Sequence, residues 1–272
     1  MKDSTIVLTI TVGGILSGLR YKALLCRGNA LENLTCFEPV GAKLYRLCQH
    51  AKLLVELQDR LGVTELAHVV DRLLLLVCRG VLGLYHAVLS LVAASFLLEN
   101  GCRCVDVEKA IGGLVADVVG DCWFGHAVIE VETGFMPARN VLEPIDYLVA
   151  RLGAKIARYS RLGEWFGLGI PVGYAAPIPP QLLRAPGKRS EEELIALKRL
   201  LDKYYRKPPI PVEWVKTAHL DAVLVLDTQR PKAIVLKPKD YYRVIGKLQE
   251  SLAQTSIDRA VEAYEELYRW KD

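Results

Sequence analysis

Residues 114–134 read LVADVVGDCWFGHAVIEVETG. Two runs rich in Val, Ile and Ala flank the short turn CWFG, the pattern of two strands folded back on each other. Into those runs the sequence sets Asp117, Glu130 and Glu132. Carboxylates are almost never fully buried without a partner, because an unpaired charge in apolar surroundings costs several kcal/mol or more. Side chains alternate along a strand, so Glu130 and Glu132 share one face while Ile129, Val131 and Thr133 take the other, the expected core face. Asp117 lies on the preceding strand, which the tight turn brings alongside. Three acids gathered at one edge of a sheet repel one another. A hard divalent cation removes that repulsion by taking oxygen ligands, and a metal so held supports phosphodiester hydrolysis. Taken singly, Glu130 and Glu132 read better as the solvent face of an edge strand, and Asp117 as a strand-end residue making a hydrogen bond. Their joint spacing is what points to a metal.

Working outward, CRCVDVEK reads as a third strand, joined through the turn AIGG, so the three strands form a meander. EPIDYLVARLGAKIARYSRLG follows as a helix, with Pro near its start and apolar residues at 145, 148, 149, 152 and 156. EWFGLGIPVGYAAPI is a further strand. Ahead of the meander come the strands STIVLTI and YKALLC and a helical pattern from about residue 38 to 80. Beyond it, Ser190 and Glu193 form a capping box for a charged surface helix over 190–206. HLDAVLVLD and KAIVLKP are strands, and the chain reads as helical from 240 on.

The order helix, three-strand meander, helix, strand, with an Asp on the second strand and Glu-x-acid on the third, resembles the PD-(D/E)XK nuclease superfamily. Ala116-Asp117 stands where that family has Pro-Asp, and Glu130-Val131-Glu132 where it has (D/E)XK. The resemblance covers residues 82–180. It implies an α/β protein with a restriction-endonuclease-like core and helical additions at both ends. Residues 1–80 would form an N-terminal strand pair and helices, 81–240 the core with the inserted helix 190–206, and 241–272 C-terminal helices. It implies further a Mg²⁺- or Mn²⁺-dependent deoxyribonuclease, with Asp117, Glu130 and Glu132 as metal ligands and DNA as the substrate. The departure is Glu132, where the family usually carries a Lys that helps position the attacking water. Some restriction enzymes of the family act with Glu there. Lys155, in the following helix, is the candidate replacement cation, and Arg158, Tyr159 and Arg161 are the candidate nucleic-acid contacts. The rival reading is a catalytically inactive fold of this kind that binds nucleic acid or a protein.

Composition bounds these readings. The chain has 272 residues, 51% apolar and 24% charged, which fits a folded protein and excludes disorder. A net charge of +4 permits a basic nucleic-acid surface without demanding one. Only four Asn and six Gln occur, a bias of the kind seen in heat-adapted proteins. The seven Cys include no CxxC pair, which argues against a zinc ribbon. Cys102 and Cys104 are expected on one strand face, with reduced thiols in a cytoplasmic protein unless the source is a hyperthermophile. Residues 80–98 run nineteen positions without Lys, Arg, Asp or Glu, long enough to span a bilayer. Tyr85, His86, Ser90 and Ser95 interrupt the run, so a buried central helix is expected, and His86 reads as a satisfied core histidine. A homodimer is left open.

Overall fold

The computed structural model describes residues 5–10, 21–26 and 42–245. The chain divides into two units, 1–56 and 57–272. In the first unit β1 (Thr5–Ile10) pairs antiparallel with β2 (Tyr21–Cys26), as their β-branched and aliphatic runs predict. Helix α1 (Ala42–Leu61) carries the boundary.

The second unit continues with α2 (Ala67–Cys78), α3 (Leu84–Glu99), β3 (Arg103–Ile111), β4 (Leu114–Cys122), β5 (Gly125–Val131), α4 (Pro144–Tyr159) and β6 (Trp165–Pro171). Then come α5 (Glu191–Tyr204), α6 (Val212–Thr217), β7 (Ala222–Asp227) and β8 (Lys232–Leu236). The helix expected from 240 begins at 238, and its expected course beyond 245 lies outside the described residues. Six strands form one open mixed sheet in the order β3-β4-β5-β6-β7-β8. The two-residue turn Gly112-Gly113, with φ of +56° and +79°, needs glycine's left-handed freedom and makes β3 and β4 antiparallel neighbours. β5 is antiparallel to β4 but parallel to β6, and β6 is parallel to β7, because α4 and then α5 and α6 supply the crossovers that parallel pairing requires.

Helix α3 is apolar all round and lies against all six strands on one face of the sheet. Among the described residues no helix is long and apolar enough to cross a membrane. On the other face, Leu152 and Ile156 of α4 and Leu197 and Leu201 of α5 pack with Val119, Val128, Phe166, Leu168 and Ile170 of the sheet. The capping box forms as read, with Ser190 accepting from the Glu193 amide and the Glu193 carboxylate accepting from the Ser190 amide.

Two expectations change here. β5 is a central strand, not an edge, and both its faces are covered, so the acid-bearing face is a second core face: Glu130 is 1% exposed and Glu132 0%. Cys102 and Cys104 do not share a face. A bulge between Arg103 and Asp106, with Cys104 at φ +48°, leaves Cys104 exposed and turns Cys102 inward. Arg103 lies opposite Asp121, which sets Cys102 across from Cys122, and these two are joined as a disulfide.

Candidate functional site

The β4–β5 ladder runs from Cys122↔Gly125 to Val118↔Ile129 and stops. The next pair in register is Asp117 and Glu130, and there the side chains take over from the main chain. The Asp117 amide donates to Glu130 Oε1 at 3.0 Å, and the Val131 amide donates to Asp117 Oδ2 at 2.7 Å. Strand ends that part inside a protein must satisfy their amides, and two carboxylates do so here, each becoming fixed by the other's backbone.

Lys155 of α4 completes this arrangement. Its Nζ lies 3.2 Å from Asp117 Oδ2 and 3.1 Å from Glu130 Oε2, and donates to the Val131 carbonyl at 2.7 Å. Burial alone would raise the Asp117 carboxyl, but the Lys155 ammonium, His86 and the Val131 amide outweigh it and hold Asp117 well below the usual carboxylate range. Burial pushes Glu130 up to about 8; Lys155 opposes this and the Asp117 charge adds to it. Lys155 is itself desolvated, yet the surrounding carboxylates, Asp117 foremost, raise it above its ordinary value. One cation on two acids and a carbonyl is the donor set of a hard-cation site, held here by an ammonium.

Two residues that sequence reading passed over stand on the far side of Asp117. His86 Nε2 of α3 lies 3.4 Å from Asp117 Oδ1 and 3.7 Å from Glu108 Oε1 of β3. His86 Nε2 and Glu108 Oε1 are both buried without a hydrogen-bond partner, so His86 is not the satisfied core histidine expected. Ligand atoms of His86, Glu108 and Asp117 all lie within 4.8 Å of one another. Glu108 adopts φ +49°, a left-handed conformation that costs a non-glycine residue on the order of 1 kcal/mol or more and commonly marks functional positions. Burial raises its carboxyl, and the charge on Asp117 adds to the effect.

Glu132 is not brought into this group. Its Oε1 accepts from the Gly134 amide at 2.9 Å and its Oε2 from Arg151 Nε at 2.7 Å, so both oxygens are taken up by protein donors. The remaining expected residues lie along α4 and just beyond it. Tyr159 is half-buried, and burial next to the Glu130 charge pushes its hydroxyl up to about 12. Arg158 stacks over Tyr205 and donates to the Pro208 carbonyl, while Arg161 lies 4.0 Å from the Trp214 ring centroid. Aromatic and carbonyl contacts thus hold both guanidinium groups in place.

Compared with protein-family models, with curated proteins and with solved structures, the chain matches none.

Proposed function

We infer that the second unit is a restriction-endonuclease-like core whose site hydrolyses phosphodiester bonds of DNA with the help of a divalent cation. The observation that carries this reading is the parting of β4 from β5 at Asp117 and Glu130, where two buried carboxylates are held in a fixed geometry beside a lysine. A purely structural role would be filled better by apolar residues, since buried ion pairs are weak sources of stability. Element order supports the finer fold: α3, the β3–β5 meander, α4 and β6 succeed one another as the resemblance requires.

The cation would be held by Asp117 with His86 and Glu108, where His86 Nε2 and Glu108 Oε1 are buried without a hydrogen-bond partner. Two carboxylates with an imidazole suit Mn²⁺ better than Mg²⁺, because imidazole is the softer donor. When bound, such an ion supplies Lewis-acid stabilisation of phosphate charge and a hydroxide near neutral pH. The chain's own residues do the rest. Glu130 fixes the Asp117 backbone and holds Lys155, whose enclosed ammonium keeps Asp117 ionised to ligate the cation. Arg158 and Arg161, braced by Tyr205 and Trp214, would contact flanking phosphates.

Cleavage of labelled linear, nicked, branched and single-stranded DNA with Mn²⁺ or Mg²⁺ tests this. Wild type should cut at least one substrate, and Asp117→Asn none. A second reading, a binding module without activity, is favoured by the capture of Glu132 by Arg151. Binding without cleavage under either metal would select it.

A further inference from the structure

The strand β5 and the helix α4 match in pitch. Glu130 and Glu132, in β5 and just past its end, are two residues apart, about 6.6 Å in extended backbone, and Lys155 and Arg151 are four apart on a helix, about 6 Å. The two cations therefore meet the two acids one to one, Lys155 on Glu130 and Arg151 on Glu132. Tyr147, Arg151, Lys155 and Tyr159 continue this row at intervals of four along α4.

The two pairs differ in what they leave outward. Lys155 is enclosed, with its ammonium spent on Asp117, Glu130 and the Val131 carbonyl. Arg151 uses Nε on Glu132, and Nη1 lies 3.4 Å from the Tyr147 hydroxyl. Its side chain is 27% exposed, while that of Glu132 is 0% exposed. A guanidinium gripped at Nε by a rigid carboxylate has its Nη edge aimed and its rotamer entropy already spent, which is the arrangement that binds phosphate through a planar fork. The Glu132 charge also holds Arg151 above its ordinary value against the effect of burial, so it stays a cation at every working pH.

We propose that Arg151 grips the substrate phosphate next to the one that is cut, and that Glu132 is the residue that positions it. This rests on the phosphodiesterase reading above. It also accounts for the acid at position 132. Glu132 does not act on the substrate itself but holds an arginine that does.

The test uses the full chain in an Asp117→Asn background, so that DNA binds without being cut, and a fluorescein-labelled branched DNA as probe. Binding is measured over a range of KCl concentrations. Arg151→Gln should weaken binding about tenfold and flatten the slope of log K against log salt by about 0.9, the contribution of one phosphate contact. Arg151→Lys should keep the slope but lose affinity, because an ammonium has no fork. Glu132→Gln should likewise keep the slope and weaken binding, since the charge remains but is no longer aimed. In the active background, Arg151→Lys should raise KM more than it lowers kcat. An unchanged slope in Arg151→Gln with a lowered melting temperature makes the pair structural and overturns the proposal. If Arg151→Gln does not fold, unaltered affinity in Arg151→Lys overturns it equally. Should the unmutated chain neither bind nor cut any DNA, the functional reading itself fails, an outcome visible before any Arg151 variant is made.

Discussion

Replacing Lys155 by Met removes the charge and keeps most of the volume. Its Nζ sits 3.2 Å from one carboxylate oxygen and 3.1 Å from another. At an effective dielectric of about 20, the contact with the ionised Asp117 is worth roughly 5 kcal/mol of Coulomb attraction, while Glu130, raised to about 8, is largely protonated at pH 7 and adds a hydrogen-bonding contact. Desolvating the ammonium gives back several kcal/mol of that attraction, and in the variant Asp117, left without its counter-ion, can take up a proton. The net loss should be about 3–5 kcal/mol, the usual result of removing one member of a buried ion pair. Out of a total of about 5–15 kcal/mol this leaves the protein folded but marginal. Urea melts at pH 7, in EDTA and then in Mn²⁺, read both the loss and its cause. Loss of the ammonium leaves an oxygen cluster that a divalent cation can occupy, so Mn²⁺ should restore much of the stability, and lowering the pH to 5 should restore part. A loss below about 1 kcal/mol, or one that neither metal nor pH relieves, refutes the view that Lys155 stands as the counter-ion of Asp117 and Glu130.

Other outcomes follow from the same geometry. In EDTA, Glu130 has a raised folded value, so its contribution to stability is complete below its ordinary 4.5 and is lost as pH rises towards about 8. Glu130→Gln should therefore flatten the pH dependence of stability in that window, and denaturant melts at half-unit steps would show whether it does. Asp117 has the opposite sign: its contribution is present above its ordinary 3.8 and disappears as the solution becomes more acid. Opening the Cys102–Cys122 bridge, which spans 20 residues of sequence, should cost about 3 kcal/mol by loop entropy, measurable as a fall in melting temperature on adding a reductant. Val131→Asp sets a charge on the α3 face, where Val131 is 1% exposed, and should cost several kcal/mol in the same melts.

How far the site could be read from the sequence depends on turn arithmetic. The two-residue turns after Ile111 and Cys122 fix the registers of β3, β4 and β5. Counting back from the second turn puts Asp117 opposite Glu130, which is why the sequence pointed to both. Counting back from the first puts Glu108 opposite Asp117 by the same rule, so the turn also carried the signal for Glu108. The disulfide could not be found this way, because the bulge at Arg103–Asp106 adds the residue that brings Cys102 opposite Cys122. Alternation grouped Glu130 with Glu132 correctly, but it says nothing about what covers a face. Only the position of α4 shows that Lys155 meets the first acid and Arg151 the second. For that reason Lys155, read from sequence as a replacement cation for the site, becomes a buried counter-ion. His86 carried no pattern beyond interrupting an apolar helix, and only the packing of α3 on the sheet brings it to Asp117.

The most direct measurement is the amount of Mn²⁺ the folded chain holds, read by electron paramagnetic resonance as free Mn²⁺ disappears during a titration. A site at Asp117, His86 and Glu108 binds one ion per chain at sub-millimolar to millimolar concentration, and binding should be lost in Asp117→Asn, weakened in His86→Ala and Glu108→Gln, and kept in Glu132→Gln. Absence of bound Mn²⁺ in the wild type, or binding that survives Asp117→Asn unchanged, would contradict it.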